Sequence, residues 1–376
     1  MEVKELSRDK VQLDALDIAI NNNRATLGIS MGVGKTRIAI NHLIKLYDPF
    51  IRVLVVVPKW SVKDSWENEL KEMTKIPKQV DLTLLLHSHI EYTTYLSLNK
   101  LNPNDYDIVY LDECHSLLET HETFLSEFKG RILGLTGTPP KSGEKLKMVK
   151  KYCPVKYTFS VDDAADSNIL NDYQIIVHEL ELSKVKNLMK STKDGRTWYT
   201  SEKQDYDYFT GALGDAQTPK QRQYLSIMRM RSLMDYTTKE EYMKGLIRNI
   251  GQKCIIFANT QKQADRVCSH SYHSGNSNSE ENLELFSDGR IDKMSCVLQL
   301  SEGVTIPGLK QGIIMHAYGN ERKSAQRIGR LLRLNPNETA TCHILCYRNT
   351  VDVKWVNSAL STFDKDKIKY FNPLNI

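Results

Sequence analysis

Apolar and polar positions follow two rhythms along the first 140 residues. Val11 to Asn21 sets Leu13, Leu16 and Ile20 at helical spacing, and Thr36 to Leu46 and Trp60 to Met73 repeat that spacing. Between these lie short apolar runs: Ala25 to Ser30, the β-branched run Arg52 to Val57, Asp107 to Leu111 and Arg131 to Leu135. Runs that do not alternate suit strands buried on both faces, as in a parallel sheet covered by helices. Strand and helix in regular succession therefore predict an α/β layer fold for this half.

The remainder reads less evenly. Residues 141–172 are rich in Lys, Asp and Ser and read as a crossing segment, followed by a strand from Tyr173 to Leu182. Residues 184–250 contain no strand run and many Lys, Tyr, Met and Gln; they read as mostly helical, with a loop near Gly211 to Pro219. A second alternating unit follows. Its strands are Lys253 to Ala258, Met294 to Leu300, Gly312 to Ala317 and Thr339 to Tyr347, and its helices are Gln261 to Ser269 and Ser324 to Leu332. The Ser/Asn-rich stretch Ser269 to Ser279 reads as a surface loop. The expected architecture is two α/β domains, residues 1–165 and 166–376, each a mostly parallel sheet flanked by helices, with a helical insertion at 184–250 in the second.

Composition narrows the class. A chain of 376 residues suits two lobes of roughly 150–200 residues each. A net charge of +5 is compatible with a polyanionic partner without demonstrating one. Seven cysteines form no paired framework, and Cys342-His343 with Cys346 alternates like a strand, so structural cysteine is favoured over zinc. With no apolar leader and no apolar run near the ~20 residues that cross a bilayer, the expectation is a cytoplasmic protein, or a nuclear one if eukaryotic, in a reducing compartment.

Three segments carry the chemistry. Ser30-Met31-Gly32-Val33-Gly34-Lys35-Thr36 follows a strand and opens a helix. Glycines let backbone N–H groups converge on phosphate oxygens, and the helix N-terminus favours the negative charge. Lys35 would reach the β- and γ-phosphates and Thr36 would ligate Mg²⁺. The strict phosphate-loop pattern has Gly where this chain has Ile29. Asp112-Glu113 ends an apolar strand, where nucleotide sites form in open parallel sheets. Asp112 suits Mg²⁺, and Glu113 suits orienting and deprotonating a water. Arg330 and Arg333, three apart, share one helix face and would stabilise charge on the γ-phosphate; a solvated basic face is the alternative.

Further residues carry weaker signals. Gln12 precedes the loop by one helix and either reads an adenine edge or is a surface glutamine. Thr136 and Thr138 suit coupling of the γ-phosphate state to motion between lobes. Ser301 to Pro307 follow a strand and suit both nucleotide and nucleic-acid surfaces. Pro58-Lys59 and Thr93-Thr94-Tyr95 suit phosphate contacts without sequence information, while Trp60 and Trp66 read as core packing.

Taken in order, these segments resemble the superfamily 2 helicases and translocases of DExH type, which have two RecA-like lobes. Gln12 resembles the glutamine ahead of motif I; Ser30 to Thr36 resembles motif I of the Swi/Snf branch; and Val55-Val56-Val57-Pro58-Lys59 with Trp66 resembles motif Ia. Thr93 to Tyr95 resembles motif Ib, Asp112-Glu113-Cys114-His115 motif II and Leu135 to Pro139 motif III. Cys254 to Phe257 resembles motif IV, Glu302 to Pro307 motif V and Gln326 to Arg333 motif VI. The first lobe is similar to Swi/Snf translocases. Motif V is similar to phage UvsW-type helicases, with Thr305 where they usually carry Asp or Asn.

The resemblance implies ATP held by Gln12, Met31, Gly32, Val33, Gly34, Lys35, Thr36, Gly303 and Gln326, with Mg²⁺ on Thr36 and Asp112. It implies catalysis by Lys35, Glu113, Arg330 and Arg333, and coupling by Thr136, Thr138 and His115. Nucleic acid would meet Pro58, Lys59, Thr93, Thr94, Ser301 and Thr305. The expected activity is ATP-driven movement on DNA, by a compact, monomeric, 3′-to-5′ motor for branch migration, annealing or unwinding. Two readings stay open beside it. One is an RNA-dependent ATPase; the other, from a different class, is a nucleic-acid-binding protein with a decayed ATP site.

Overall fold

The computed structural model describes residues 7–75, 86–192, 194–297, 306–317, 338–361 and 363–373. The chain divides into two compact units, the first running to Asp172 and the second starting at Tyr173. Among the described residues no helix is long and apolar enough to cross a membrane.

The first unit is built on six strands: β1 (Arg24–Ile29), β2 (Val53–Val57), β3 (Ile90–Thr94), β4 (Ile108–Asp112), β5 (Arg131–Thr136) and β6 (Val155–Phe159). They lie in the order β3-β2-β4-β5-β1-β6, every neighbouring pair parallel. Every residue of β2 and β4 is buried, because helices cover both faces. The helices are α1 (Arg8–Asn21), α2 (Lys35–Lys45), α3 (Trp60–Thr74), α4 (Glu122–Glu127), α5 (Gly143–Tyr152) and α6 (Val161–Asp166). Since all six strands run the same way, their carboxyl ends share one edge, and the loops leaving that edge converge.

The second unit begins with β7 (Asp172–Leu180), a hairpin of β8 (Leu188–Ser191) and β9 (Thr197–Thr200), and helices α7 (Glu202–Gly214), α8 (Pro219–Asp235) and α9 (Thr238–Asn249). Then come β10 (Cys254–Ala258), α10 (Gln261–Val267), β11 (Ser271–Tyr272), α11 (Ser279–Ser287), β12 (Lys293–Val297), β13 (Gln311–Ile314), β14 (Thr339–Tyr347), α12 (Val351–Leu360) and β15 (Ile368–Phe371). The sheet order is β11-β12-β10-β13-β14-β7-β15. Its first five strands are parallel, and β7 and β15 are a parallel pair. Two mostly parallel, helix-flanked sheets with a largely helical insertion in the second are the predicted fold.

Local expectations fail in four places, one of them Ser269 to Ser279, which is not all surface loop but carries β11, with Ser271 and His273 buried. Residues 141–172 are not a crossing segment but α5, β6 and α6, and β6 is the edge strand of the first sheet. Only Phe159 of β6 is buried, so this strand lacks the apolar run that exposed the others to view. Residues 184–250 contain the β8–β9 hairpin as well as helices. Finally, Trp60 is 58% exposed at the start of α3 and is not a core residue, whereas Trp66 one face away is buried.

Candidate active site

The loop from Ser30 to Gly34 leaves β1 at the shared carboxyl edge and turns into α2. Gly32 and Gly34 hold φ of +87° and +106°, a region that penalises any side chain. At Gly34 space forbids one too, since a Cβ there would lie 2.5 Å from the Gln12 amide nitrogen. Gln12 and Arg8, both on α1, donate to the Val33 carbonyl at 2.6 and 3.1 Å and pin the loop from outside. The Gln12 amide nitrogen is thus engaged by the loop itself. Gly34 caps α2 without a side-chain hydrogen bond, so the first-turn N–H groups of a helix of 11 residues face the edge with their dipole unopposed.

Asp112 and Glu113 stand at the carboxyl end of β4. The buried Asp112 carboxylate accepts from the Trp66 indole N–H at 2.8 Å through Oδ2 and from the Glu113 N–H at 2.9 Å through Oδ1. The Tyr95 hydroxyl donates to its main-chain oxygen at 2.8 Å. Glu113 has φ +50° and ψ +54°, a left-handed conformation that a non-glycine residue adopts at a cost of about 1–3 kcal/mol. This turn brings its Oε2 to 3.2 Å from the Thr136 hydroxyl, which donates, and to 3.1 Å from His115 Nδ1. His115 Nδ1 lies 2.8 Å from Thr136 Oγ1, and that oxygen also accepts from the Thr138 N–H at 3.1 Å. Motifs II and III are therefore one hydrogen-bonded unit spanning β4 and β5.

Neighbouring carboxyl groups separate in acidity. Burial, then the Glu113 charge, pushes Asp112 up to about 6. Burial acts on Glu113 in the same direction, but the His115 hydrogen bond, the Lys35 charge and the Thr136 hydroxyl outweigh it and hold it at about 2. Glu113 is thus a carboxylate at neutral pH, as a proton acceptor must be. Lys35 reaches this neighbourhood: a Cβ on Gly137 would sit 3.8 Å from its Nζ, so the glycine keeps the space beside the ammonium open.

Pro58 and Lys59 follow β2, and Thr93 and Thr94 end β3, at the same edge. Both threonines are buried, and the other two are half-exposed. The structure therefore brings Gln12, Met31 to Thr36, Asp112, Glu113, His115, Thr136 and Thr138 together. Ser301, Gly303, Thr305, Gln326, Arg330 and Arg333 lie outside the described residues. Sequence reading missed three contributors: Trp66 as the donor to Asp112, Tyr95 as the donor to its backbone, and Arg8 as a second clamp on Val33. The signal for Trp66 was present, since it lies on the buried stripe of α3 with Val62 and Leu70.

The edge suits a phosphate ester with a hard cation. It offers a helix N-terminus, an ammonium, a hydroxyl and a carboxylate. No cluster of three or more His, Cys, Asp or Glu able to hold a metal occurs among the described residues. One carboxylate plus substrate phosphates is the usual Mg²⁺ arrangement. A cleft of about 400 Å³ lined by Asn23, Asp107 and Arg131 opens at the opposite, amino edge of the sheet and takes no part in this chemistry.

Comparison with known proteins agrees with this geometry. Residues 5–141 match the family "Type III restriction enzyme, res subunit" and residues 238–335 the family "Helicase conserved C-terminal domain". The chain is 22% identical over 375 residues to the DNA 3'-5' translocase XPB2 of Sulfurisphaera tokodaii, covering 93% of this chain and 84% of that protein. It is 32% identical over 130 residues to the putative ATP-dependent RNA helicase QP509L of African swine fever virus, covering 31% of this chain and 25% of that protein. Among solved structures, the DNA-bound Type ISP restriction-modification enzyme LlaBIII matches 96% of this chain and 31% of its own, with a TM-score of 0.62 and 15% identity. The Hef helicase domain of Pyrococcus furiosus matches 93% of this chain and 97% of its own, with a TM-score of 0.51 and 14% identity. These likenesses identify both sheets as RecA-like domains.

Proposed function

From a chain that is a superfamily 2 helicase-type, nucleic-acid-dependent ATPase, we propose a compact motor that couples ATP hydrolysis to movement along DNA. One observation carries the reading. The Glu113 carboxylate is held in a strained turn by His115 and Thr136, on the same edge as the Lys35 loop. A base fixed in that way, with its ligand to motif III, can register whether the γ-phosphate is present. Backbone N–H groups of Gly32 to Thr36 and the Lys35 ammonium grip the phosphates, and Glu113 takes the proton of the attacking water. Mg²⁺ on Thr36 and Asp112 would neutralise charge on the phosphates. Arg330 and Arg333 supply the remaining cation for the γ-phosphate. Pro58, Lys59, Thr93, Thr94, Ser301 and Thr305 meet the track.

DNA is favoured as the track because the relative aligned along most of the chain is named a DNA translocase. RNA is the second reading, favoured by the shorter match to a putative RNA helicase. Steady-state ATP turnover across single-stranded, duplex, forked and four-way DNA and RNA separates them. Greater stimulation by DNA supports the proposal. Stimulation by RNA alone moves the assignment to the second reading, and none by any polynucleotide overturns both.

A further inference from the structure

Residues 184–235, between the two matched domains, contain ten Lys and Arg against six Asp and Glu. That balance of +4, within a chain of +5, places nearly all the excess positive charge in one module. The module is the β8–β9 ribbon with α7 and α8, which pack on each other.

One ribbon face is tied down. Leu188 packs on the cluster of Leu182, Tyr206 and Tyr236. Lys190 pairs with buried Asp205 at 3.0 Å, and the Tyr236 hydroxyl donates to the same carboxylate at 2.9 Å. A two-stranded ribbon is marginal in water, so these ties account for its persistence. The other face is bare. Met189 and Tyr199 stand directly opposite each other on it, 60% and 63% exposed, while Trp198 lies across from Lys190 on the tied face and is still 48% exposed. Nothing in the packing of the unit calls for large apolar side chains there. Rings presented to solvent within a basic module are the pairing that single-strand binders use, stacking for the bases and cations for the backbone. A duplex keeps its base faces inside, so the charge and rings together fit an unpaired strand.

We propose that the ribbon grips a single strand, with a base stacked on the Tyr199 ring beside Met189 and the phosphates met by the module's Lys and Arg. The proposal rests on the motor reading for the identity of the track and adds a contact to it. Anisotropy of a labelled oligothymidine longer than the ~16 nucleotides one such site covers tests it on the full chain. The double variant Met189→Ala/Tyr199→Ala should bind roughly tenfold or more weakly. Tyr199→Phe, which keeps the ring, and Thr197→Ala, on the same face, should bind as the unaltered chain does. ATP turnover without nucleic acid should not change in any of them. A 5-iodouracil oligonucleotide should photo-cross-link the unaltered chain within the ribbon, which decides the matter should the double variant melt early. Unchanged affinity in a folded double variant, or cross-links confined to other segments, overturns the proposal and leaves the bare face to a protein partner. Polynucleotide-stimulated turnover with unchanged affinity would sink this contact and spare the motor; ring-dependent binding without stimulated turnover would do the reverse.

Discussion

Each unit sets a lysine close to a carboxylate, and the two arrangements teach opposite lessons. In the second unit Lys239 and Asp352 have fully buried side chains. The ammonium spends its three protons on Asp352 Oδ2 at 2.5 Å, the Met315 carbonyl at 3.1 Å and His316 Nδ1 at 3.1 Å. Asp352 in turn accepts the Tyr347 N–H at 2.9 Å. That lysine joins β13, β14, α9 and α12 and has nothing left to offer a ligand. In the first unit Lys35 faces an open edge beside Gly137, and Glu113 is held by neighbours in a conformation it would not choose. A lysine whose protons are all engaged builds the fold. Charge kept under strain at a sheet edge is available for chemistry.

The largest expected effect lies in catalysis. Arg330→Ala should leave ATP binding intact and cut hydrolysis by roughly 10³-fold or more, measured as single-turnover phosphate release. An unchanged rate would show that the charge on the γ-phosphate is met by another group. Next comes the buried pair. Lys239→Met, which strands Asp352, should cost about 3–5 kcal/mol in urea unfolding, and Lys239→Met/Asp352→Leu should recover much of that. Lys35→Met should cost far less stability while abolishing turnover. Equal destabilisation by the two lysine variants would break the contrast.

Trp66→Phe keeps most of the ring and loses the N–H that holds Asp112. It should weaken Mg²⁺ dependence or turnover by roughly 10–100-fold, read from a metal titration. The smallest effect is on the acid side. Burial holds His178 and His343 at about 4, with the neighbouring imidazole adding to the effect on His178. Unfolded histidines protonate near ~6.5, so the unfolded state takes up protons first as pH falls. The stability these groups contribute is whole above that value and is lost on the way down to about 4. His178→Gln should flatten the decline in unfolding free energy between pH 7 and 5; an unaltered slope would remove the pair from the account.

Much of this is legible in the sequence because both sheets are mostly parallel, with buried central strands. Val53 to Val57 and Ile108 to Leu111 announce themselves as unbroken apolar runs, and the chemistry lies where such runs stop. The failures have physical causes. β6 is an edge strand with one wet face, and its polar residues gave it the look of a linker. The hairpin carried a usable signal in Asp194-Gly195 between Met189-Lys190-Ser191 and Thr197-Trp198-Tyr199, with Gly195 at φ +81°, but its bare aromatic face resembles no core pattern. Gln12 reads from sequence as either an adenine contact or a surface glutamine, and spacing does not reveal that its amide nitrogen bonds Val33. Trp66 was legible as buried, yet its hydrogen bond to Asp112 depends on how α3 lies across the sheet, which no local pattern records.

Glu113→Gln probes the central claim with the least disturbance, since it exchanges a carboxylate for an amide of nearly the same shape. Nucleotide affinity and polynucleotide-stimulated ATP turnover should be measured side by side in this variant and the unaltered chain. The account predicts binding as tight as before and turnover lowered by roughly 10²–10⁴-fold. Turnover at the unaltered rate would contradict it, because the base held by His115 and Thr136 would then have no part in breaking the phosphate bond.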